Sequence, residues 1–192
     1  MKSPMAFALI FTLFSAPLAA VAADGSPEEP GAPASGCPEY LNHSFKKLHS
    51  SDRVNICDLY TGGPMVIINT ASHCGFTPQF KDLENLNQKY QDKGLTVIGF
   101  ASDDFNQAAK DEAEAATICY KNFGVTFTML APTSVKGKNA NAVFQHLNEE
   151  AGEPGWNFNK FLITNQGTTI KKFGSRTRPM NSRLEDTLKK SL

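Results

Sequence analysis

Two short apolar runs, Met65-Val-Ile-Ile-Asn69 and Leu95-Thr-Val-Ile-Gly-Phe100, enclose a stretch in which Phe80, Leu83, Leu86 and Tyr90 recur at helical spacing. A strand with one face in water alternates polar and apolar residues. A continuous apolar run instead suits a strand covered on both sides. The pattern is therefore strand, helix ending near Gly94, and second strand. Further along, residues 110–122 read as a helix, 125–130 as a strand, and 140–149 as a helix with Val143, Phe144 and Leu147 on one side. Residues 161–164 and 168–173 straddle Asn165-Gln166-Gly167, a hairpin signal. A helix over 181–192 closes the chain. A β-α-β start and a β-hairpin-α finish predict an α/β fold with a central mixed β-sheet flanked by helices on both faces.

Composition narrows the functional classes. The 192 residues carry 19 basic and 19 acidic side chains, so charge gives no case for nucleic acid or an anionic membrane surface. Four cysteines are too few for a disulfide scaffold but enough for redox chemistry. Met1-Lys2, the apolar run from Met5 to Ala20, and Ala20-Val21-Ala22 together read as a signal peptide over 1–22. The apolar run is shorter than the roughly 20 residues of a membrane-spanning helix, so the expectation is export, periplasmic in a bacterium and secreted otherwise. Residues 23–36, rich in Pro, Gly and small side chains, read as a flexible leader. The folded domain is expected over 37–192.

The chemistry concentrates where the first strand ends. Asn69-Thr-Ala-Ser-His-Cys-Gly-Phe-Thr77 is a small, polar loop leading into a helix. Cys74 thus precedes a helix N-terminus, where free N–H groups and the helix dipole favour the nucleophilic thiolate. Position alone also admits a buried, inert cysteine.

This segment closely resembles the active-site block of the glutathione peroxidase family. Gly94-Leu-Thr-Val-Ile-Gly-Phe100 resembles the family's second block, and Gly155-Trp-Asn-Phe-Asn-Lys-Phe161 its third. The resemblance spans about 37–192 and implies a thioredoxin-like fold with peroxidase activity toward hydrogen peroxide and organic hydroperoxides. It implies that Cys74 attacks the peroxide and becomes a sulfenic acid. By the same resemblance Trp156 and Asn157 donate hydrogen bonds beside the sulfur, where charge develops in the transition state. One position departs from the family pattern. Asp104 stands where a glutamine completes the family's cluster, and an ionised carboxylate cannot donate to a thiolate. Asp104 is retained as a candidate that turns away, is protonated or shuttles a proton, with Gln107 as an alternative amide.

Cys119 falls where thioredoxin-dependent members of the family keep a resolving cysteine, which implies a Cys74–Cys119 disulfide opened by a dithiol reductant. Its alternative is a buried position on a helix face. Cys37 and Cys57 admit two readings, a staple between them or Cys57 simply packed in place. No C-x-x-C occurs, which argues against a thioredoxin-type exchanger. His43, His49, His73 and His146 show no metal-ligand spacing, so neither metal nor cofactor is expected, and His73 reads as a loop residue. The short connection before Trp156 lacks the insertion of tetrameric, glutathione-using members and so resembles the monomeric branch that uses thioredoxin-like proteins. Glutathione remains the alternative reductant, with Lys110, Arg176 and Arg178 as basic residues the sequence does not locate. Rival functions are a redox relay that senses peroxide and passes oxidation to a partner, and a peroxiredoxin-like enzyme, whose Pro-x-x-x-Thr-x-x-Cys pattern is absent around Cys74.

Overall fold

A computed structural model describes residues 36–192. The expected signal peptide and nearly all of the leader lie outside them. A five-stranded mixed sheet forms the centre, in the order β5-β4-β3-β6-β7. Strand β3 (Met65–Thr70) runs parallel to β4 (Thr96–Ala101), which runs parallel to β5 (Thr128–Leu130). On its other side β3 pairs antiparallel with β6 (Lys160–Thr164), and β6 pairs antiparallel with β7 (Thr169–Phe173). A two-stranded ribbon, β1 (Ser44–Lys46) and β2 (Arg53–Asn55), precedes this sheet and leads into the short helix α1 (Ile56–Leu59).

All six residues of β3 are buried, because both faces of the sheet are covered. Strand alternation then divides its side chains between two layers. Val66 and Ile68 join Phe80, Leu83 and Leu86 of α2 (Gln79–Tyr90), Ala115 of α3 (Glu112–Ala116) and Leu184 and Leu188 of α5 (Arg183–Leu188). Met65 and Ile67 join Ile56 of α1 and Val143, Phe144 and Leu147 of α4 (Ala142–Ala151). This is the thioredoxin-like arrangement expected from the sequence. Among the described residues no helix is long and apolar enough to cross a membrane.

Element ends differ from the expected ones for local reasons. The chain leaves α2 through Gly94, whose φ of 89° glycine adopts without strain, before entering β4. The helix expected over 110–122 has two parts. Asp111 caps α3 by accepting the Glu114 N–H, and beyond Ala116 the backbone widens into a π-helical segment, Thr117–Asn122. Past that segment the Val125 N–H bonds back to the Cys119 carbonyl, and β5 begins only at Thr128, with three residues paired to β4. The closing helix is also shorter than expected. The Ser182 hydroxyl accepts the Leu184 N–H, and Asn181, at φ 51°, lies outside.

Candidate active site

Strand β3 delivers the chain to a tight loop that Thr77 closes. Its hydroxyl donates to the Ala71 carbonyl at 3.0 Å and accepts the Cys74 N–H at 3.1 Å, while the Thr77 N–H returns to the Cys74 carbonyl at 2.9 Å. Cys74 is a free thiol at 6% exposure. Its Sγ accepts the Phe76 N–H at 3.4 Å, a bond that strengthens when sulfur carries negative charge. The cysteine is thus buried at the entrance to α2, fixed by the Thr77 hydrogen bonds and supplied with a backbone donor.

The Trp156–Asn159 loop is built from amides. Asn69, at the end of β3, donates through Nδ2 to the Trp156 carbonyl (3.0 Å) and accepts the Asn159 N–H at Oδ1 (3.0 Å). Asn159 Nδ2 donates to the same Trp156 carbonyl (2.7 Å) and to Ser175 Oγ (3.1 Å), and Ser175 Oγ donates to the Asn157 carbonyl (2.6 Å). These bonds hold Phe158 at φ 60°, an uncommon value for a non-glycine residue that the surrounding network maintains. Asn69 and Asn159 lie within the sequence motifs but carry no site role in the sequence reading. The signal available was a buried amide at the end of an apolar strand, which must find partners.

Gln107 joins the two loops. Asn157 Nδ2 donates to Gln107 Oε1 at 3.0 Å, and the Gln107 carbonyl accepts the N–H of His73, the residue before Cys74, at 2.9 Å. The Gln107 Nε2 makes no hydrogen bond among the described residues, so it keeps a donor free. Trp156 is 41% exposed, with its ring 5.3 Å from that of Phe105. It shares a groove of about 550 Å³ with Phe76, Asn159, Ser175, Arg176 and Arg183.

Asp104 does not join this cluster. Its Oδ2 accepts the N–H of Val135 at 2.6 Å and of Lys136 at 3.2 Å, so the carboxylate organises the loop before α4. Of the alternatives open to Asp104, these bonds select the one in which it turns away, so its candidate site role is not met, and the amide bonded to Asn157 belongs to Gln107. The His73 side chain also points outward, pairing with Glu114 at 3.2 Å. Of the basic residues left unplaced, Arg176 reaches the groove, whereas Arg178 is tied to Asp82 at 3.0 Å. Lys110 lines a different cavity.

Cys119 lies in the π-helical segment at 3% exposure, in the same apolar layer as Cys74. It borders a cavity of about 260 Å³ together with Ala71, Ser72 and Phe80, residues that flank Cys74 in sequence. Burial pushes its thiol up to about 12, so in this conformation it is not ionised at neutral pH. Cys37 and Cys57 form a disulfide, which decides between their two readings in favour of the staple.

Comparison with known proteins places this geometry in context. The family model for glutathione peroxidase matches residues 42–148, a stretch that includes Cys74, Gln107 and Cys119. A glutathione peroxidase of Lactococcus lactis is 42% identical over 159 residues, covering 80% of this chain and 99% of the relative. A glutathione peroxidase-like peroxiredoxin of Schizosaccharomyces pombe is 44% identical over 124 residues, covering 62% of this chain and 78% of its own length. Among solved structures, the crystal structure of Trgpx in apo form superposes with a TM-score of 0.61 at 25% identity, covering 79% of this chain and 94% of that one.

Proposed function

The chain belongs to the glutathione peroxidase family and is a thiol peroxidase, and from that premise we propose that Cys74 is its peroxidatic residue, with Trp156, Asn157 and Gln107 as its donors and Cys119 as its resolving partner. The Cys74 thiolate attacks the terminal oxygen of the hydroperoxide. The O–O bond breaks, an S–O bond forms, and the leaving oxygen takes a proton to depart as water or alcohol. The indole N–H and the two amides stabilise charge as it moves from sulfur to that oxygen. The observation that carries this reading is the bridge through Gln107, which ties the segment bearing Cys74 to the loop bearing Trp156 and Asn157.

Cys119, once exposed and ionised, attacks the sulfenic sulfur, expels hydroxide and leaves a Cys74–Cys119 disulfide. A thioredoxin-like dithiol reopens that bond by exchange, with glutathione as the alternative reductant. The S. pombe relative, named a peroxiredoxin, supports the dithiol, and the short connection between α4 and Trp156 supports a monomer. The sequence of residues 1–22 supports export, with periplasmic or secreted residence of the mature chain; N-terminal sequencing of the exported protein should begin at Ala23.

Peptide mapping without reductant, after one equivalent of peroxide, tests the cycle. The expected product is a Cys74–Cys119 linkage, absent from Cys119→Ser, with faster turnover on a thioredoxin-like protein than on glutathione. Sulfenic or overoxidised Cys74 as the sole product in the wild type would count against Cys119 as resolver.

A further inference from the structure

Lys160 opens β6 shortly after the Trp156–Asn157 pair, and it is 0% exposed. Removing an ammonium from water is costly unless a counter-ion or several good acceptors replace the solvent. Among the described residues no carboxylate pairs with it. Its Nζ donates to three neutral oxygens: Oε1 of Gln79, the Ser175 carbonyl at 3.3 Å and the Thr177 carbonyl at 2.9 Å. Burial pulls the ammonium down to about 7. Asp82, one turn on from Gln79 in α2, is held by Arg178; on α5, Glu185 is paired with Lys89 and Asp186 with Lys189; and Arg176 and Arg183, which line the groove beside the 174–177 turn, are cations. Core packing does not require this residue, since a methionine has similar length and no such cost.

The identity of the three oxygens gives the lysine a purpose. Gln79 is the first residue of α2, the helix that the Cys74 loop enters. Ser175 and Thr177 belong to the turn after β7. Gln79 Nε2 also donates to the Ser175 carbonyl at 2.7 Å, which closes a ring of Lys160, Gln79 and Ser175. The Ser175 hydroxyl then carries the connection onward, to the Asn157 carbonyl and the Asn159 amide.

We propose that Lys160 is a positioning residue of the peroxidatic site, its ammonium locking the start of α2 to the 174–177 turn and so holding the Trp156–Asn157 loop in register with the Cys74 loop. A primary ammonium offers three donors around one atom, whereas methionine offers none and the planar guanidinium of arginine has a different geometry. The inference rests on Cys74 being the nucleophile.

The test uses Lys160→Met, which keeps length and removes the donors, and Gln79→Leu, which keeps the lysine and removes one acceptor. Stopped-flow oxidation by hydrogen peroxide gives the rate. Emission and acrylamide quenching of Trp156, the only tryptophan, report the loop, and a circular dichroism melt reports folding. Folded Lys160→Met is expected to lose roughly 10- to 100-fold in rate, the scale of a small misplacement, and to show shifted, more quenchable emission. Gln79→Leu should move both readouts in the same direction by less, and it decides the matter alone where Lys160→Met does not fold. Wild-type rate and emission in a folded variant would overturn the proposal, as would a change in only one of the two. Wild-type oxidation that does not depend on Cys74 would instead overturn the reading beneath it.

Discussion

Asn157 uses only half of its amide. Nδ2 is given to Gln107, while Oδ1 is buried without a hydrogen-bond partner among the described residues. Such an orphan costs about 1–3 kcal/mol, and a site that binds a proton-bearing group is where it is tolerated. A hydroperoxide or a sulfenic acid brings the missing O–H. Gln107 holds the Asn157 amide, so on the proposed reading Gln107→Ala should lower the second-order rate with peroxide by roughly 10-fold or more, the scale of one lost oxyanion-type donor. Asp104→Ala should behave oppositely. Its peroxide rate stays near wild type while denaturant melts show a loss of about 1–3 kcal/mol, because the Val135 and Lys136 N–H groups lose their acceptor. A slow Asp104→Ala with normal stability would return the carboxylate to the chemistry. Cys74, Trp156 and Asn157 stand out in the sequence as candidates because each sits in a short motif. The sequence leaves Asp104 and Gln107 as alternatives, and only the fold decides between them, since the partners that draw Asp104 away come from the segment before α4, some 30 residues on.

At the scale of elements, two helices differ in how they are held. Glu185 anchors α5 to α2 from a position 1% exposed, accepting from Lys89 (2.8 Å), the Tyr90 hydroxyl (2.6 Å) and the Asn181 N–H (2.7 Å). Burial raises its carboxyl, but these donors outweigh burial and hold it at about 2. The folded value lies below the ordinary 4.5, so the stabilisation is complete above pH 4.5 and is lost as pH falls from there toward 2. Calorimetry should therefore show Glu185→Gln less stable than wild type by about 3 kcal/mol at neutral pH, with the gap narrowing across that acid window. The α3 segment is held more lightly. Lys46 and the His49 N–H clasp Glu112, and His73 meets Glu114, all near the surface. Beyond them the π-helical turn carries Cys119, whose buried thiol must be exposed before it can ionise and react. Glu112→Ala should speed disulfide formation a few-fold, as loss of a weak surface pair allows, without changing the preceding oxidation of Cys74. Equal slowing of both phases would argue that the segment does not open. The long apolar runs and helical spacings made β3, β4, α2 and the β6–β7 hairpin legible. The β1–β2 ribbon and the π turn left no trace, because three-residue strands have too little periodicity and a π turn carries side-chain spacing too close to that of an α-helix to be told from it.

Across the whole molecule the sheet separates two kinds of cysteine. Cys74 and Cys119 lie in the layer of α2, α3 and α5, whereas Cys57 lies in the layer of α1 and α4 with Cys37 packed against it. The Cys37–Cys57 bond closes a loop of sequence separation 20. By the loop-entropy argument it contributes about 3 kcal/mol. Cys37→Ser with Cys57→Ser should accordingly lower the melting temperature while leaving peroxide reactivity unchanged. A peroxidase defect in that double variant would mean the two layers are coupled. On the proposed reading Cys74 alone meets the peroxide. In stopped-flow mixing of reduced wild type, Cys74→Ser and Cys119→Ser with hydrogen peroxide, rapid second-order oxidation is expected in wild type and Cys119→Ser and none in Cys74→Ser; oxidation of Cys74→Ser at the wild-type rate would overturn the role of Cys74.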